Sequence, residues 1–382
     1  MVSWVVKRVL LATWLCYWSR NRVDSEAFNQ WYQQLAYLHG KPSATATFRQ
    51  EPEHFQVIEQ LTPPSTEAEG EHQWLWVRKK GANTVFVAEQ LAAFAGVSPR
   101  QVSYAGLKDR HAETWQWFSV QLPGQALLVW EALHHAEFAV ERAVLQPKKL
   151  RLGFHDGNRF RIRLTDVQDM ESVLERWKLV VESGFPNYFG EQRFGRDGAN
   201  IAKAKRWFEA GRKYRVNRNQ QSFLLSSVRS LLFNQVTSAR VSAQRLLPEV
   251  GDVLGLAGNR SVFRVEQVDA ELLSRFAARD VHLTAPLAGD EKLQNDSAIA
   301  QFEQTCSDEF WLQGLRQQRV EAARRPLLAF PRDAQHQQID ANTIVLEFSL
   351  DAGVFATSLL REIVQLNNAK ANLDGAVELS DD

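Results

Sequence analysis

Stretches of alternating or continuous apolar residues are interspersed along this chain with stretches in which apolar residues recur at helical spacing. Runs rich in aromatic and β-branched residues predict strands at residues 73–77, 114–121 and 344–350, and a small strand pair at residues 252–265. Apolar stripes and end signals predict helices at residues 84–94, 166–181, 222–241, 296–317 and 357–365. Both element types are therefore expected along most of the chain.

Turn signals divide two other strand-like stretches. Pro52 should break residues 43–59 into two pieces. Asp156-Gly157 is a turn signal inside residues 150–164, which are therefore predicted to form a hairpin. Strand alternation then places three basic residues on one face of the second strand, namely Arg159, Arg161 and Arg163.

The length and composition of the chain limit its class. With 382 residues it exceeds one ordinary hydrophobic core, so two domains are expected. Lys plus Arg and Asp plus Glu both number 45, but a zero net charge leaves nucleic-acid binding open because the distribution of charge decides it. Two cysteines, Cys16 and Cys306, are too few for a disulfide framework or a cysteine-type zinc site, which fits a reducing cytoplasm.

The first residues imitate an export signal. Residues 9–18 are apolar and follow Lys7-Arg8, but the run is too short to cross a bilayer and no convincing cleavage site follows. We interpret residues 1–28 as an N-terminal extension from a miscalled start, with translation beginning near Val23, and leave residues 1–23 out of fold reasoning. The alternative interpretation is an exported or membrane-tethered protein.

A candidate catalytic group lies in a polar loop between two predicted strands. Asp109 is flanked by Lys108 and Arg110, after residues 101–105 and before residues 114–121. Adjacent cations favour the ionised form of a carboxylate, so Asp109 is predicted to be a nucleophile or general base. The loop chemistry alone also fits a carboxylate that only caps a turn.

Five segments of the chain match one set of motifs, in the same order. The segment from Gly106 to Ala112 resembles the signature G-x-K-D-x-x-A of the tRNA pseudouridine synthase D (TruD) family. The other four are His39-Gly40-Lys41-Pro42, Gly157-Asn158-Arg159-Phe160, the block from Pro186 to Gly195, and the block from Ala352 to Ser358. Together they extend over residues 37–366, and this resemblance favours the catalytic interpretation of Asp109 over the turn cap.

The resemblance implies an α+β fold. A pseudouridine-synthase-like catalytic domain, with a mostly antiparallel sheet and flanking helices, is expected at residues 29–183 and 331–382. An α+β TRUD domain is expected to be inserted at residues 184–330. The implied activity is isomerisation of a uridine to pseudouridine in a tRNA, with uridine 13 of tRNA-Glu as the expected target. No obligate protein partner and no membrane association are expected, and the cytoplasm is the expected location.

This conversion breaks the C1′–N1 bond of a uridine, turns the base and joins C1′ to C5. It needs no redox step and no hydrolytic water, so neither a cofactor nor a metal is expected, and the sequence contains no P-loop or dinucleotide motif. Asp109 is expected to act at C1′, either by attacking the sugar or by assisting the intermediate, and both remain open. Lys108 or Arg110 is expected to hold its carboxylate.

The target base must leave the RNA stack, so it needs a ring surface and a polar group at its edge. By resemblance, three residues match substrate-contacting positions of the family, namely Phe55, Asn158 and Phe355. The Asn158 amide can donate and accept hydrogen bonds to a uracil edge, and core packing is the alternative role of both phenylalanines. Three further residues are candidates for the pocket rim: Asn187, Gln192 and Arg193.

A basic surplus precedes and follows Asp156. It consists of Lys148, Lys149, Arg151, Arg159, Arg161 and Arg163. We interpret these residues as contacts to RNA phosphates, with a solvated strand face as the alternative. Residues 193–218 are also basic and contain Trp207, so RNA binding and a charged helix with Trp207 in a core are both open there.

Two hypotheses remain beside the main one. His54 occupies a position where the family more often has an acid, and it is hypothesised to change the pH dependence of RNA binding. A non-catalytic tRNA-binding protein or RNA chaperone on the same scaffold is the alternative function, which an Asp109→Asn variant would separate from a synthase.

Overall fold

The computed structural model describes residues 18, 20, 21, 23–63, 69–259, 261–290 and 297–368. Its strands are β1 (Thr45–Phe48), β2 (Phe55–Gln60), β3 (His72–Lys80), β4 (Val102–Tyr104), β5 (Glu113–Gln121), β6 (Phe138–Gln146), β7 (Gly157–Gln168), β8 (Phe185–Pro186), β9 (Val253–Leu256), β10 (Val262–Arg264), β11 (Val281–Leu287), β12 (Ala323–Pro326), β13 (Leu328–Ala329), β14 (Arg332–Asp340), β15 (Thr343–Asp351) and β16 (Gln365–Asn368). Its helices are α1 (Ser25–Gln34), α2 (Thr84–Ala95), α3 (Met170–Ser183), α4 (Ala199–Ala210), α5 (Arg218–Ser242), α6 (Ala270–Ala277), α7 (Ala298–Thr305), α8 (Glu309–Gln317) and α9 (Ala356–Ile363).

The larger sheet joins strands from both ends of the described chain. Its main path runs β14-β15-β7-β2-β5-β3-β6, while β1 pairs with β7 and β16, and β4 pairs with β5. The pairs β1–β16 and β2–β5 are parallel, and the others in this sheet are antiparallel. The expected α+β fold with a mostly antiparallel sheet is therefore confirmed.

β7 lies between β15 and β2 in the main path of the larger sheet and also pairs with β1. Phe160, Ile162 and Leu164 of β7 are buried, and the intervening arginines are exposed, as the alternation predicts. The buried face of this part of the sheet packs on α3 and α9, whose Trp177 and Leu359 belong to the same core. A second core, with Leu75 and Val87, lies between the other half of the sheet and α2.

A smaller sheet, with the order β10-β9-β11-β12, lies in the chain between β8 and β13. Its core contains Leu254 and Leu283 from the sheet, Trp207 from α4, Leu231 from α5 and Trp311 from α8. The two short strands β8 and β13 pair with each other where the chain leaves and re-enters the larger sheet. The architecture thus brings residues before 183 and after 331 into one sheet.

Helix ends follow the capping residues in the sequence. Asn83 and Asn217 accept hydrogen bonds from the first turns of α2 and α5, and Gly96 ends α2 with a left-handed backbone. Asp308 caps α8, so the single helix predicted at residues 296–317 is two helices within the described part, α7 and α8. The predicted helix at residues 166–181 begins later, at Met170, because β7 continues to Gln168.

The hairpin predicted at residues 150–164 is wrong. Residues 150–156 are not in a strand, and β7 begins at Gly157. A Cβ atom at Gly157 would clash with the carbonyl oxygen of Leu350, so glycine permits close pairing with β15 at this point. The Asp-Gly pair therefore marks the start of a central strand, not a tight turn.

Part of the segment that we left out of fold reasoning belongs to a core. Trp18 and Phe28 are buried, and both rings pack against Trp31. Phe28 and Trp31 also contact Phe194, and the Trp31 indole donates to Gln235 of α5 over 2.9 Å. Large aromatic side chains before Tyr37 therefore stabilise the fold. Residues 1–17 lie outside the described chain, and no helix in the described chain is long and apolar enough to span a bilayer.

Candidate active site

The Asp109 carboxylate is held by two side chains that are distant in sequence. Arg49 Nη2 lies 3.1 Å from Oδ2, and Gln192 Nε2 donates to Oδ1 over 3.0 Å. The Asp109 side chain is 30% exposed. These partners lie 60 positions before and 83 positions after Asp109, so the carboxylate makes tertiary contacts while remaining partly exposed to solvent. It is therefore not a local turn cap.

The loop that carries Asp109 is fixed from beneath by a buried cation. Lys79 Nζ donates to the backbone oxygens of Ala82 and Asp109, each over 2.8 Å. The Thr84 hydroxyl accepts a hydrogen bond from the Lys108 backbone N–H over 3.0 Å. Burial lowers the pKa of Lys79 to about 8, against the opposing effect of Asp109. Lys79 was not singled out in the sequence, where it is one of three consecutive basic residues.

The expectation that Lys108 or Arg110 holds the carboxylate is wrong. Lys108 Nζ lies 2.8 Å from Glu59 Oε2, in an ion pair whose side chains are 5% and 0% exposed. Arg110 is exposed and its Nε donates to the Gly81 carbonyl over 3.2 Å. Side chains of adjacent residues in an extended loop point to different sides of the backbone. Lys108 and Arg110 therefore do not reach the Asp109 carboxylate, although they are its neighbours in sequence.

Arg49 is the cation that the sequence reasoning missed. It follows β1 with a left-handed backbone (φ 61°), a conformation that costs free energy for a non-glycine residue. Its guanidinium carbon lies 4.2 Å from the centre of the Phe55 ring and 4.7 Å from that of Phe48. A single arginine after a short strand carries no sequence signal of its own, so only the fold identifies it.

Phe55 belongs to both the core and the site. It is 3% exposed, and its ring contacts those of Phe48 at 5.3 Å and Phe160 at 6.1 Å. Arg49 connects this ring to the Asp109 carboxylate, since it contacts both. Phe55 therefore packs in the core, which is its alternative role. It is linked to Asp109 through Arg49, which contacts both.

Asn158 lies opposite Glu59 of β2 and Leu350 of β15 in the sheet register. Residues directly opposite in an antiparallel pair project to the same face, so Asn158 shares the face of Glu59. Glu59 binds Lys108, the neighbour of Asp109. The Asn158 Oδ1 atom is buried and has no hydrogen-bond partner within the described chain.

The turn from Gly190 to Phe194 brings Gln192 to the site and packs closely on the start of α9. A Cβ atom at Gly190 would lie 3.0 Å from Thr357 Oγ1 and 3.1 Å from Phe355 Cδ1. The Phe355 ring contacts Phe189 with a centroid distance of 5.9 Å. Phe355 is thus beside the turn that supplies Gln192.

The other two rim candidates have different surroundings. Asn187 is buried, donates to the Pro326 carbonyl over 3.0 Å and accepts from Arg325 over 2.6 Å. The Arg193 guanidinium lies 5.4 Å from the centre of the Phe189 ring. Asn187 thus connects the segment after β8 to β12 by hydrogen bonds, whereas Arg193 places a cation next to Gln192.

The basic residues predicted to contact RNA fall into two groups. Lys148, Lys149 and Arg151 are exposed. Glu347 of β15 lies 2.9 Å from Arg159 and 3.1 Å from Arg161. The exposed strand face is therefore partly neutralised by a residue that the sequence reasoning did not connect with it.

An open pocket of about 330 Å³ adjoins this face. It is lined by Glu51, Glu53, His54, Gln56, Arg161 and Arg163. Its acids further balance the arginines. Burial, followed by the charge of Arg163, lowers the pKa of His54 below its ordinary value.

Trp207 is buried in the core of the smaller sheet, so the core interpretation holds for this residue. No cluster of three or more His, Cys, Asp or Glu side chains in the described ranges is arranged to hold a metal ion.

Comparison with known proteins identifies the family. A sequence model described as tRNA pseudouridine synthase D (TruD) matches residues 32–204 and 200–363. The chain belongs to this family. TruD proteins are pseudouridine synthases, an isomerase class, and the first matched range contains Asp109 together with its two partners, Arg49 and Gln192.

Relatives and a solved structure agree with this assignment. The tRNA pseudouridine synthase D of Idiomarina loihiensis is 50% identical over 340 residues, which cover 87% of this chain and 96% of the relative. That of Shewanella oneidensis is 41% identical and covers 88% and 90%. A crystal structure of the putative TruD protein from Methanosarcina mazei has a TM-score of 0.65 at 21% identity, covering 87% of this chain and 96% of that one, and shows the same fold.

Proposed function

We propose that this TruD-family protein converts a uridine in tRNA to pseudouridine, with uridine 13 of tRNA-Glu as its target and Asp109 as the catalytic residue. The observation that carries the proposal is the Asp109 carboxylate, which is solvent-accessible and fixed by Arg49 and Gln192. A cation and an amide donor keep both carboxylate oxygens oriented for action at C1′ of the ribose.

In the proposed reaction the C1′–N1 bond of the flipped nucleotide breaks and the base turns. A C1′–C5 bond then forms, the proton on C5 is lost, and N1 takes up a proton, so the product is an isomer of the substrate. Asp109 acts at C1′, as a nucleophile or as the anion that stabilises the positive charge there. Lys79 and Thr84 support the loop so that the carboxylate is held in place before substrate arrives.

We assign recognition of the base to Asn158 and to the two phenylalanines. The Asn158 Oδ1 atom, without a partner among the residues described, can accept a hydrogen bond from N3–H of uracil. Phe355, beside the turn of Gln192, offers a ring for stacking. Phe55 is deeply buried, so its contribution passes through the position of Arg49.

We assign contact with the tRNA backbone first to Lys148, Lys149 and Arg151, because their side chains are exposed. One exposed face of β7 carries Arg159, Arg161 and Arg163. Arg159 and Arg161 would leave their ion pairs with Glu347 and bind phosphate instead. Screening of these contacts makes tRNA affinity fall as salt concentration rises.

The decisive experiment is Asp109→Asn with unmodified tRNA transcripts. Pseudouridine is mapped in each transcript, and tRNA affinity is measured in parallel. The variant should form no detectable pseudouridine, because the side chain loses its negative charge. Its tRNA affinity should stay within about threefold of that of the unmodified protein, because only one carboxylate oxygen is replaced by an NH2 group.

Two outcomes would contradict the proposal. If neither protein forms pseudouridine although both bind tRNA, the chain is an RNA-binding protein on a synthase scaffold. If pseudouridine forms at a different position, or in another tRNA, the assignment of uridine 13 of tRNA-Glu is wrong while the reaction stands.

A further inference from the structure

Two arginine side chains meet beside the Asp109 site without a carboxylate from the described chain against either of them. Arg325 of β12 donates to Asn187 Oδ1 over 2.6 Å and to the Gly353 carbonyl over 2.8 Å, and both acceptors are neutral. Its guanidinium carbon lies 4.2 Å from the centre of the Phe189 ring, and that of Arg193 lies 5.4 Å from the same centre.

Both side chains are partly buried. The Nε atoms of Arg193 and Arg325 are buried, and neither has a hydrogen-bond partner within the ranges that the structure describes. Burial, and then the charge of Arg193, lowers the pKa of Arg325 to about 9, and burial also lowers the pKa of Arg193. Two like charges near one ring are costly unless an anion joins them, since buried charges in proteins are normally paired.

Other arginines of this protein show the usual arrangement. Arg240 is fully buried and makes two hydrogen bonds to the Asp252 carboxylate. Arg324, the neighbour of Arg325, binds the Glu303 carboxylate through both terminal nitrogens. Arg240 and Arg324 thus have carboxylate partners, and Arg229 donates to three backbone oxygens. The Nε atom of Arg193 has neither kind of partner in the described chain.

The position of the pair indicates which anion it takes. Arg193 follows Gln192, which binds Asp109, and Arg325 is tied to Gly353, two residues before Phe355. A nucleotide placed with its ribose at Asp109 and its base near Phe355 would bring its own flanking phosphate into this region. Guanidinium groups match phosphate oxygens in geometry and charge.

We propose that Arg193 and Arg325 form a phosphate-binding site for the phosphodiester next to the target uridine. This site rests on the proposed function for the identity of the nucleotide. It is distinct from the exposed basic residues of β7 and the segment before it, because both of its cations lie against the Phe189 ring. It would fix the flipped nucleotide relative to Asp109 by its charge, independently of the base.

The test uses synthetic RNA stem-loops in which one phosphate beside the converted uridine is replaced by an uncharged methylphosphonate. Affinities are measured in an Asp109→Asn background, so that turnover does not interfere. Removal of the phosphate charge on one side of the uridine should weaken binding to the protein with both arginines by about 10- to 100-fold, as expected for a hydrogen bond to a charged group. The same replacement should have little further effect in Arg193→Gln or Arg325→Gln.

Arg316→Gln is the matched control, because Arg316 pairs with Glu309 on the exposed face of α8. It should keep the full sensitivity to methylphosphonate. Arg325→Gln can destabilise the fold, because Arg325 hydrogen-bonds to both Asn187 and Gly353. Arg193→Gln is then the informative variant, because no side-chain hydrogen bond of Arg193 is found in the described chain.

If the methylphosphonate penalty is the same in both glutamine variants as with both arginines present, the two residues are structural and the phosphate site is refuted. The salt dependence of tRNA binding separates this result from failure of the proposed function. Even if no uridine is converted, loss of one phosphate contact should reduce the slope of log affinity against log salt by about 0.7 in Arg193→Gln and not in Arg316→Gln.

Discussion

At the scale of single residues, the site depends on which cation reaches which carboxylate. Arg110 donates to the Gly81 carbonyl, and three other basic residues in or near the loop of Asp109 each have a different partner. Arg49 holds the Asp109 carboxylate, Lys79 holds the loop backbone, and Lys108 is buried against Glu59. The charges are therefore separated into one contact with the Asp109 carboxylate and two contacts that support its loop and the core.

Removal of the Arg49 charge should lower catalysis more than binding. In Arg49→Gln we expect kcat to fall by about 10- to 100-fold, since a hydrogen bond to a charged group stabilises by about 1.5–3 kcal/mol. The dissociation constant for tRNA should change by less than about threefold. Single-turnover rates and binding measured separately provide the check.

Arg49→Lys should regain part of the rate, because it restores the charge without the planar guanidinium. Arg275→Gln, at a surface pair with Asp280, serves as the control with an unchanged rate. A rate for Arg49→Gln equal to that of the control would show that the Asp109 carboxylate does not need this cation.

The buried pair of Lys108 and Glu59 should matter for stability. Lys108→Met leaves the Glu59 carboxylate uncompensated, and we expect the free energy of unfolding to fall by roughly 3–5 kcal/mol. Lys178→Met is the matched control, as its pair with Glu182 is exposed and its loss should cost less than about 0.5 kcal/mol. Chemical denaturation measures both.

The double variant Lys108→Met with Glu59→Leu tests the reason for the loss. It should recover much of the stability, because no buried charge then remains unpaired. Equal denaturation midpoints for Lys108→Met and Lys178→Met would contradict the buried ion pair.

At the scale of elements, the site is formed where three parts of the chain come together. The loop after β4 supplies Asp109, the turn before α4 supplies Gln192, and the start of α9 supplies Phe355. Gly190 lies in this turn, where it packs against Phe355 and Thr357 at the start of α9. The absence of a side chain there sets the distance between the two elements.

Gly190→Ala should therefore loosen this junction. Its Cβ would lie 3.0 Å from Thr357 Oγ1 and 3.1 Å from Phe355 Cδ1, so these side chains would have to shift by a few tenths of an ångström. Overpacking of this kind costs about 1–3 kcal/mol, and denaturation should detect it. Phe355→Leu in the same chain should restore part of the lost stability by removing the ring. Without such recovery, the strain would lie elsewhere in the turn.

At the scale of the whole molecule, two sheets with separate cores meet around the site. Gln192, Arg193 and Arg325 come from the part of the chain that includes the smaller sheet, whereas Asp109 and Asn158 belong to the larger one. His282 of β11 is influenced by the charge of Asp351 of β15, so it lies near the junction. The site is complete only when both parts are folded together.

The junction should respond to pH through His282. Burial lowers the pKa of His282 below its ordinary value of 6.5, with Asp351 opposing. The folded protein then binds this proton less readily than the unfolded chain. The contribution of neutral His282 to stability is present above pH 6.5 and is lost as the pH falls through its folded-state pKa.

In His282→Gln the stability should therefore decline less between pH 7.5 and pH 5 than in the unmodified protein. Urea denaturation at several pH values gives the difference in the free energy of unfolding between the two proteins. The contributions of the other titrating groups are common to both and cancel in this difference. A difference that does not change with pH would rule out a depressed pKa at His282.

The sequence by itself determined most elements, the α+β class and the chain positions of Asp109, Asn158, Gln192 and Phe355. These follow from patterns among near neighbours and from segments in a fixed order, which adjacent residues encode directly. The hairpin at residues 150–164 failed because the same Asp-Gly pair suits a tight turn and a closely packed strand start.

Only the tertiary structure decided the partners of the charges. Asp109 meets Arg49 and Gln192, Lys108 meets Glu59, and Glu347 neutralises Arg159 and Arg161. Such contacts join residues tens or hundreds of positions apart, and they depend on strand register and on how two sheets pack. A local pattern contains neither, so the electrostatics of this site could be found only in the folded chain.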